Sequence, residues 1–276
     1  MQPIKLIAID LDDTLLNSCS TVSKENLSAI RELNKRNVFF VPCSGRSLGE
    51  MPKLIVDNDD IRYIIHSNGS RVLDKLTGQT ISASISRNTA NKIFDTVANF
   101  QGHTTIRANG NCYIKTNTDD DYHSKFYNLC DSHVNAITHY AIKKDNFDEW
   151  KYSVENIDVV AVFFHDDNER LKCKEILEKE EDLLLVSVAP YNIEIISKRA
   201  GKGNGILALA NKLNIDAKNI AGVGDSGNDI PMMQVVGLKL AVSNATDQLK
   251  SICDKVICSN DEHAVDYILK NFIDNN

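Results

Sequence analysis

Twice in this chain an apolar run empties straight into carboxylates, once near each end. The first is IKLIAIDLDDTLL at residues 4–16, and the second is NIAGVGDSGND at residues 219–229. An unbroken run such as Leu6-Ile7-Ala8-Ile9 reads as a short strand buried on both faces, as strands of parallel sheets are. Asp10, Asp12 and Asp13 then fall within four positions, where packing them together costs repulsion and lost hydration. Taken alone, either loop reads equally well as a solvated turn rich in Asp and Gly. The other reading follows from spacing: Asp10 and Asp12 are two apart, so in an extended segment both leave the same face. Such a pair can hold a hard cation or divide the roles of nucleophile and proton donor. Two such loops at matching strand ends would bring three or four carboxylates to one sheet edge, where Mg²⁺ relieves their repulsion. Both chain ends must then build one sheet.

The segments between support that arrangement. Ser23 is placed to cap a helix with Leu27, Ile30 and Leu33 on one face, and VFFVP at 38–42 is the next strand. The segment after Ser44-Gly45-Arg46 reads as helical, and RYIIHS at 62–67 as a strand before the turn Asn68-Gly69. This order predicts a parallel sheet with crossover helices. The middle reads differently. A helix near 88–100 precedes strands at 104–108 and 111–115, joined by the hairpin signal Asn109-Gly110. VVAVFF at 159–164, a charged helix over 167–181, LLLVSV at 183–188 and IEIIS at 193–197 follow. From Gly201 the parallel pattern resumes, with an amphipathic helix carrying Ile206, Leu209, Ala210 and Leu213, then strands at 219–224, 238–242 and 255–257. The expected architecture is α/β: a Rossmann-like parallel-sheet core from residues 1–83 and 196–276, with an inserted α+β domain over 84–195. Open sheets of this kind bind ligands beyond the carboxyl ends of their strands, where Asp10, Ser44 and Asp225 fall.

Composition excludes some roles. A net charge of −7 lacks the basic footprint of a nucleic-acid binder. The longest apolar runs are far too short to span a membrane. Seven scattered cysteines with no CxxC pair read as free thiols in a reducing compartment, so the chain is expected to be cytoplasmic.

Two further pieces suit an anion. Ser44 and Gly45 at a strand end offer a hydroxyl and open backbone N–H groups to phosphate oxygens. Lys202, between two glycines ahead of a helix, offers a point charge, with Lys198 and Arg199 as rivals for that role. In the insertion, Arg107, Asn109, Asn111, Tyr113, Lys115 and His123 are polar candidates for substrate contact. Asp119-Asp120-Asp121 reads as a solvated loop, and Trp150 as packing.

Asp10-Leu11-Asp12-Asp13-Thr14 resembles the first motif, DxDxT, of the haloacid dehalogenase superfamily. Ser44-Gly45-Arg46, Lys202-Gly203 and Gly224-Asp225-Ser226-Gly227-Asn228-Asp229 are similar to its second, third and fourth motifs, in order, and the insertion resembles the type IIB cap of the Cof-type phosphatases. The likeness runs essentially the whole length of the chain, with Asp13 where glycine is common and Ser44 where threonine is common. It implies a Mg²⁺-dependent phosphatase of small phosphorylated metabolites, sugar phosphates foremost, acting through an aspartyl phosphate. Asp10 would be the nucleophile and Asp12 the acid/base. Asp10, Asp12 (by its backbone carbonyl), Asp225 and Asp229 would hold the metal. Leu11, Ser44, Gly45, Arg46, Lys202 and Asn228 would bind phosphate or substrate. The alternatives are a phosphomutase of the phosphomannomutase type and a non-catalytic phosphorylatable regulator. A monomer and a dimer are both compatible with the sequence.

Overall fold

The computed structural model describes residues 3–118, 120–129, 131–187 and 191–274. Its strands in chain order are β1 (Leu6–Ile9), β2 (Phe39–Pro42), β3 (Tyr63–His66), β4 (Arg71–Asp74), β5 (Thr80–Ser82), β6 (Gly102–Ala108) and β7 (Asn111–Lys115). There follow β8 (Ile142–Lys144), β9 (Ile157–Phe164), β10 (Leu183–Val186), β11 (Asn192–Ser197), β12 (Ile220–Gly224), β13 (Leu238–Ala241) and β14 (Lys255–Val256). The chain divides into two compact units. One comprises Met1–Gly45, Met51–Ser82 and Gly201–Asn276, and the other Arg46–Glu50 and Ala83–Ala200.

In the first unit both chain ends meet in one parallel sheet of order β14-β13-β12-β1-β2. The interior strand β1 is buried along its whole length, and each of Leu6, Ile7 and Ile9 is worth about 2 kcal/mol of burial. The register sets the edge: Ile9 stands opposite Val223 on one side and Pro42 on the other. Asp10 N then donates to Val223 O at 3.0 Å, and Cys43 N to Ile9 O at 2.8 Å. The ends of β1, β2 and β12 therefore lie level, and the residues just beyond them share one rim. The helix Lys24–Lys35 begins at Ser23, whose hydroxyl accepts from Asn26 N, and buries Ala29, Ile30 and Leu33. The helix Lys202–Leu213 buries Ile206, Leu209 and Ala210.

The expected strand–helix alternation stops early. After Arg46 only the short turns Leu48–Glu50 and Lys53–Val56 are helical, because Pro52 carries no N–H and cannot continue a helix into them. β3 does not lead to a crossover helix. Ser67, Asn68 and Gly69 all take left-handed φ values and turn the chain back, so β3, β4 and β5 form an antiparallel meander.

The second unit is a six-stranded sheet of order β10-β11-β9-β6-β7-β8. Its spine is β9, buried at every position. Asn109 and Gly110 take φ values of 51° and 79°, the left-handed pair that the β6–β7 hairpin needs. Two helices, Arg87–Val97 and Asp167–Leu177, are capped by Ser86 and Asp166 and contribute Ile93, Phe94, Val97, Cys173 and Leu177 to the apolar cluster. The second helix stops short of residue 181. Trp150 packs here, 4.7 Å from the Tyr113 ring.

Asp120 and Asp121 are not a plain loop. Asp120 accepts from His123 N and caps the helix Asp121–Phe126. Asp119, Cys130 and residue 188 of the expected strand 183–188 lie outside the described residues. The six described cysteines are free thiols. Among the described residues no helix is long and apolar enough to cross a membrane.

Candidate active site

The first acidic loop leaves β1 at Asp10 and closes on itself at once. Leu15 N and Leu16 N donate back to Asp10 O and Leu11 O, so residues 10–16 form one tight turn. Asp12 keeps extended φ and ψ, while Asp13 is left-handed at φ 53°. Asp is among the few non-glycine residues that tolerate that region. Asp13 is thus exposed and conformational in role, and its carbonyl accepts from the Asn244 side chain at 2.7 Å.

The second acidic loop leaves β12 at Asp225. Asp229 Oδ2 accepts from the backbone N–H groups of Asp225 and Ser226 at 3.0 and 3.2 Å. That folds the loop around a fully buried carboxylate. Thr14 Oγ1 donates to Asp225 Oδ1 at 3.2 Å and ties the two loops together. Carboxylate oxygens of Asp10, Asp225 and Asp229 come within 4.8 Å of one another.

Lys202 lies among these acids. Lys202, 1% exposed, donates from Nζ to Asp10 Oδ1 and to Asp229 Oδ1, each at 2.6 Å. Burial works against its charge, but Asp10 and Asp229 outweigh that and raise its pKa. Lys198 and Arg199, the sequence rivals, are exposed and belong to the second unit. Three carboxylates facing one ammonium remain under-neutralised. Burial pushes Asp10 well above the usual carboxylate range, with Lys202 pulling down and Asp229, Asp225 and Asp12 pushing further up. Burial and then Asp229 push Asp225 up to about 6. A donor set made only of carboxylate oxygens, short of positive charge, fits a hard divalent cation.

Not every expected residue joins this group. The Asp12 carboxylate is half-buried and lies outside the three-acid cluster. Leu11 is buried within the turn. Ser44 is 1% exposed; its N–H donates to Ile65 O and its carbonyl accepts from Asn68 N. Asn228 is half-buried, its Oδ1 accepting from Ser226 Oγ at 2.9 Å. Arg46 belongs to the second unit, where Nη1 donates to Glu50 O. In that unit Arg107 is no solvent-facing contact. It is buried between Glu50 and Glu194, with its Nε 2.9 Å from Glu50 and its Nη1 2.7 Å from Glu194. The other candidates make local contacts: Lys115 with Asp148, His123 with Asp120, Asn109 with Glu155 O and Asn111 with Asn109 O. Sequence reasoning gave no role to Thr14 or Asn244. The first stands within the DxDxT motif, while nothing local marks the second.

Residues 7–269 match the family model of the haloacid dehalogenase-like hydrolases. The chain belongs to that family. The curated phosphatase YwpJ of Bacillus subtilis is 30% identical over 285 aligned residues, covering 98% of this chain and all of the relative. The 5-amino-6-(5-phospho-D-ribitylamino)uracil phosphatase YwtE of the same organism is also 30% identical, covering 96% and 97%. A solved haloacid dehalogenase-like hydrolase from B. subtilis superposes with a TM-score of 0.82 at 30% identity, over 98% of this chain and the whole of that one. The chain is a haloacid dehalogenase-family phosphatase, with a Rossmann-like core and an inserted α+β cap.

Proposed function

We propose that the protein is a Mg²⁺-dependent phosphomonoesterase that hydrolyses small phosphorylated metabolites, sugar and polyol phosphates in particular, through a phosphoryl group carried on Asp10. The observation that carries this reading is the Lys202 ammonium held between Asp10 and Asp229 at a strand-end rim, with Asp225 beside them. The domains are proposed as a core of residues 1–83 and 196–276 and a cap of 84–195, and the cellular location as the cytoplasm.

Asp10 attacks phosphorus with a carboxylate oxygen; a P–O bond forms and the bond to the leaving oxygen breaks. Asp12 gives its proton to that leaving oxygen. Asp12 then takes a proton from water as the water oxygen attacks phosphorus, and Asp10 leaves with its bonding pair restored. The two acids need different pKa values for this exchange. Lys202 donates to Asp10 Oδ1 at 2.6 Å, which supports an ionised nucleophile. Asp10 and Asp225, with the Asp12 carbonyl, would hold Mg²⁺, which neutralises the phosphoryl oxygens. Both Asp229 oxygens already accept hydrogen bonds, which supports an outer role for it, through water. Lys202, Ser44, Gly45, Asn228 and the Leu11 backbone would hold the phosphoryl oxygens. For the substrate class, the support is a relative named for a phosphorylated ribityl chain.

The test is phosphate release from a panel of phosphorylated metabolites with Mg²⁺ or EDTA. Release with Mg²⁺ that is lost in Asp10→Asn supports the reading. Full activity in Asp10→Asn, or none on any substrate, overturns it. Isomerisation stimulated by a bisphosphorylated sugar, with little phosphate released, would replace it with a mutase.

A further inference from the structure

We infer that Asn68 is a positioning residue for phosphate, setting the spacing between the Ser44-Gly45 loop and the helix that begins with Lys202. This rests on the proposed phosphatase reading. Both elements lie in the first unit, and Asn68 touches both. Its N–H donates to Ser44 O at 3.0 Å, and its carbonyl accepts from Gly201 N at 2.8 Å. One peptide segment thus holds the residue expected to receive phosphate and the residue immediately before Lys202.

The surrounding backbone is shaped for this contact. Ser67 and Asn68 take φ values of 51° and 52°, and Gly69 takes 77°. Left-handed turns at non-glycine residues cost energy and persist where neighbouring structure holds them. A side chain at Gly69 would place Cβ only 2.1 Å from Gly201 O, so the turn lies directly on the start of the Lys202 helix. Gly205, one turn into that helix, would meet Gly69 Cα at 3.2 Å and Ile65 Cγ2 at 2.9 Å if it carried a Cβ. Gly201 itself, at φ 110°, is the residue from which the helix departs.

The side chain adds a third contact. Asn68 is 3% exposed, and its Oδ1 would lie 3.0 Å from a Cβ on Gly45, with Nδ2 at 3.4 Å. The amide is therefore seated over Gly45, whose lack of a side chain makes room for it. Asn is one of the few residues that combine a left-handed backbone with a planar amide of this reach. Phosphoryl transfer depends on placing groups around the phosphorus, and a shift of about 1 Å can cost about 10²-fold in rate.

Asn68→Gly tests the side chain's part in this, since it keeps the left-handed turn and both backbone bonds and removes the amide over Gly45. On a phosphomonoester that the wild type hydrolyses, kcat/KM is expected to fall about tenfold or more. Inhibition by inorganic phosphate is expected to weaken in parallel, while the Mg²⁺ concentration for half-activation stays unchanged. Asn68→Asp, which preserves shape and turn but sets a carboxylate over Gly45, is expected to weaken phosphate inhibition at least as far. A lowered melting temperature with unchanged phosphate inhibition and kcat/KM per folded molecule would overturn the inference and leave a structural role. So would equal loss of Mg²⁺ and phosphate binding. Absence of Mg²⁺-dependent turnover in the wild type would instead overturn the phosphatase reading on which it rests.

Discussion

Lys202 holds its ammonium nitrogen 2.6 Å from Asp10 Oδ1, with both groups almost wholly buried. That contact makes the charge on Lys202 a condition for the charge on Asp10. Replacing Lys202 by Met removes the cation and leaves the three acids facing one another. Turnover is expected to fall by about 10²-fold or more, by analogy with loss of one preorganised charge donor. Mg²⁺ binding is expected to hold or tighten, because the site becomes more acidic. Steady-state kinetics and Mg²⁺ titration by calorimetry separate the two effects. Unchanged kcat would contradict the role given to this lysine.

The raised pKa of Asp225 makes the stability of the metal-free protein depend on pH in a defined direction. The carboxyl titrates at about 6 when folded and near 4 when unfolded. Between those values the folded state binds more protons, so stability falls as pH rises through that window. The size is on the order of 2 kcal/mol. Denaturant unfolding of EDTA-treated protein from pH 4 to pH 6.5 should show the decline, and saturating Mg²⁺ or Asp225→Asn should flatten it.

The Glu50–Arg107–Glu194 group in the second unit predicts the opposite slope at lower pH. Burial opposes ionisation of Glu50, but the Arg107 guanidinium outweighs it and holds the carboxyl down at about 2. Its contribution is fully present above the unfolded value near 4.3 and is lost as pH falls toward 2. Arg107→Met leaves two carboxylates buried without their cation, and it is expected to cost about 3–5 kcal/mol at neutral pH. Thermal unfolding of the variant at pH 7 and pH 4 checks this. The deficit should shrink at the lower pH, and an equal deficit at both would argue for lost packing instead.

What was readable beforehand divides along a physical line. The paired acidic loops and the Asn109-Gly110 hairpin were legible because each depends on a short window: an apolar run, a carboxylate spacing, a left-handed turn pair. The parallel register then brought Asp10 and Asp225 to one rim with no further information. The place of Arg107 is hidden in the sequence because its partners Glu50 and Glu194 are distant along the chain, and a single arginine on a strand looks like a surface residue. Lys202 could not be separated from Lys198 and Arg199 by spacing, since only burial distinguishes them. The β3–β5 meander is hidden for a similar reason. Asn68-Gly69 marks a turn, but not whether a helix or a strand follows it.

Gly224 gives the last prediction, because it shows how little room the second acidic loop has. It is the final residue of β12, and a Cβ there would fall 2.4 Å from Asp229 Oδ2 and 2.5 Å from Asp229 Cγ. No side-chain rotation of Gly224→Ala avoids that overlap, since alanine has none to make. Asp229 must therefore move, and it cannot do so freely. Its two oxygens hold Asp225 N, Ser226 N and Lys202 Nζ. Displacing it loosens the turn that aims Asp225 and removes one of the two anions holding Lys202. Gly224→Ala is expected to lower kcat/KM by about 10²-fold and to weaken Mg²⁺ activation, unlike the Asn68 variants. Far-UV circular dichroism should remain native-like, since β12 keeps its pairing with β1 and β13. Native activity and unchanged Mg²⁺ dependence in a folded Gly224→Ala protein would show that Asp229 has freedom the packing denies it.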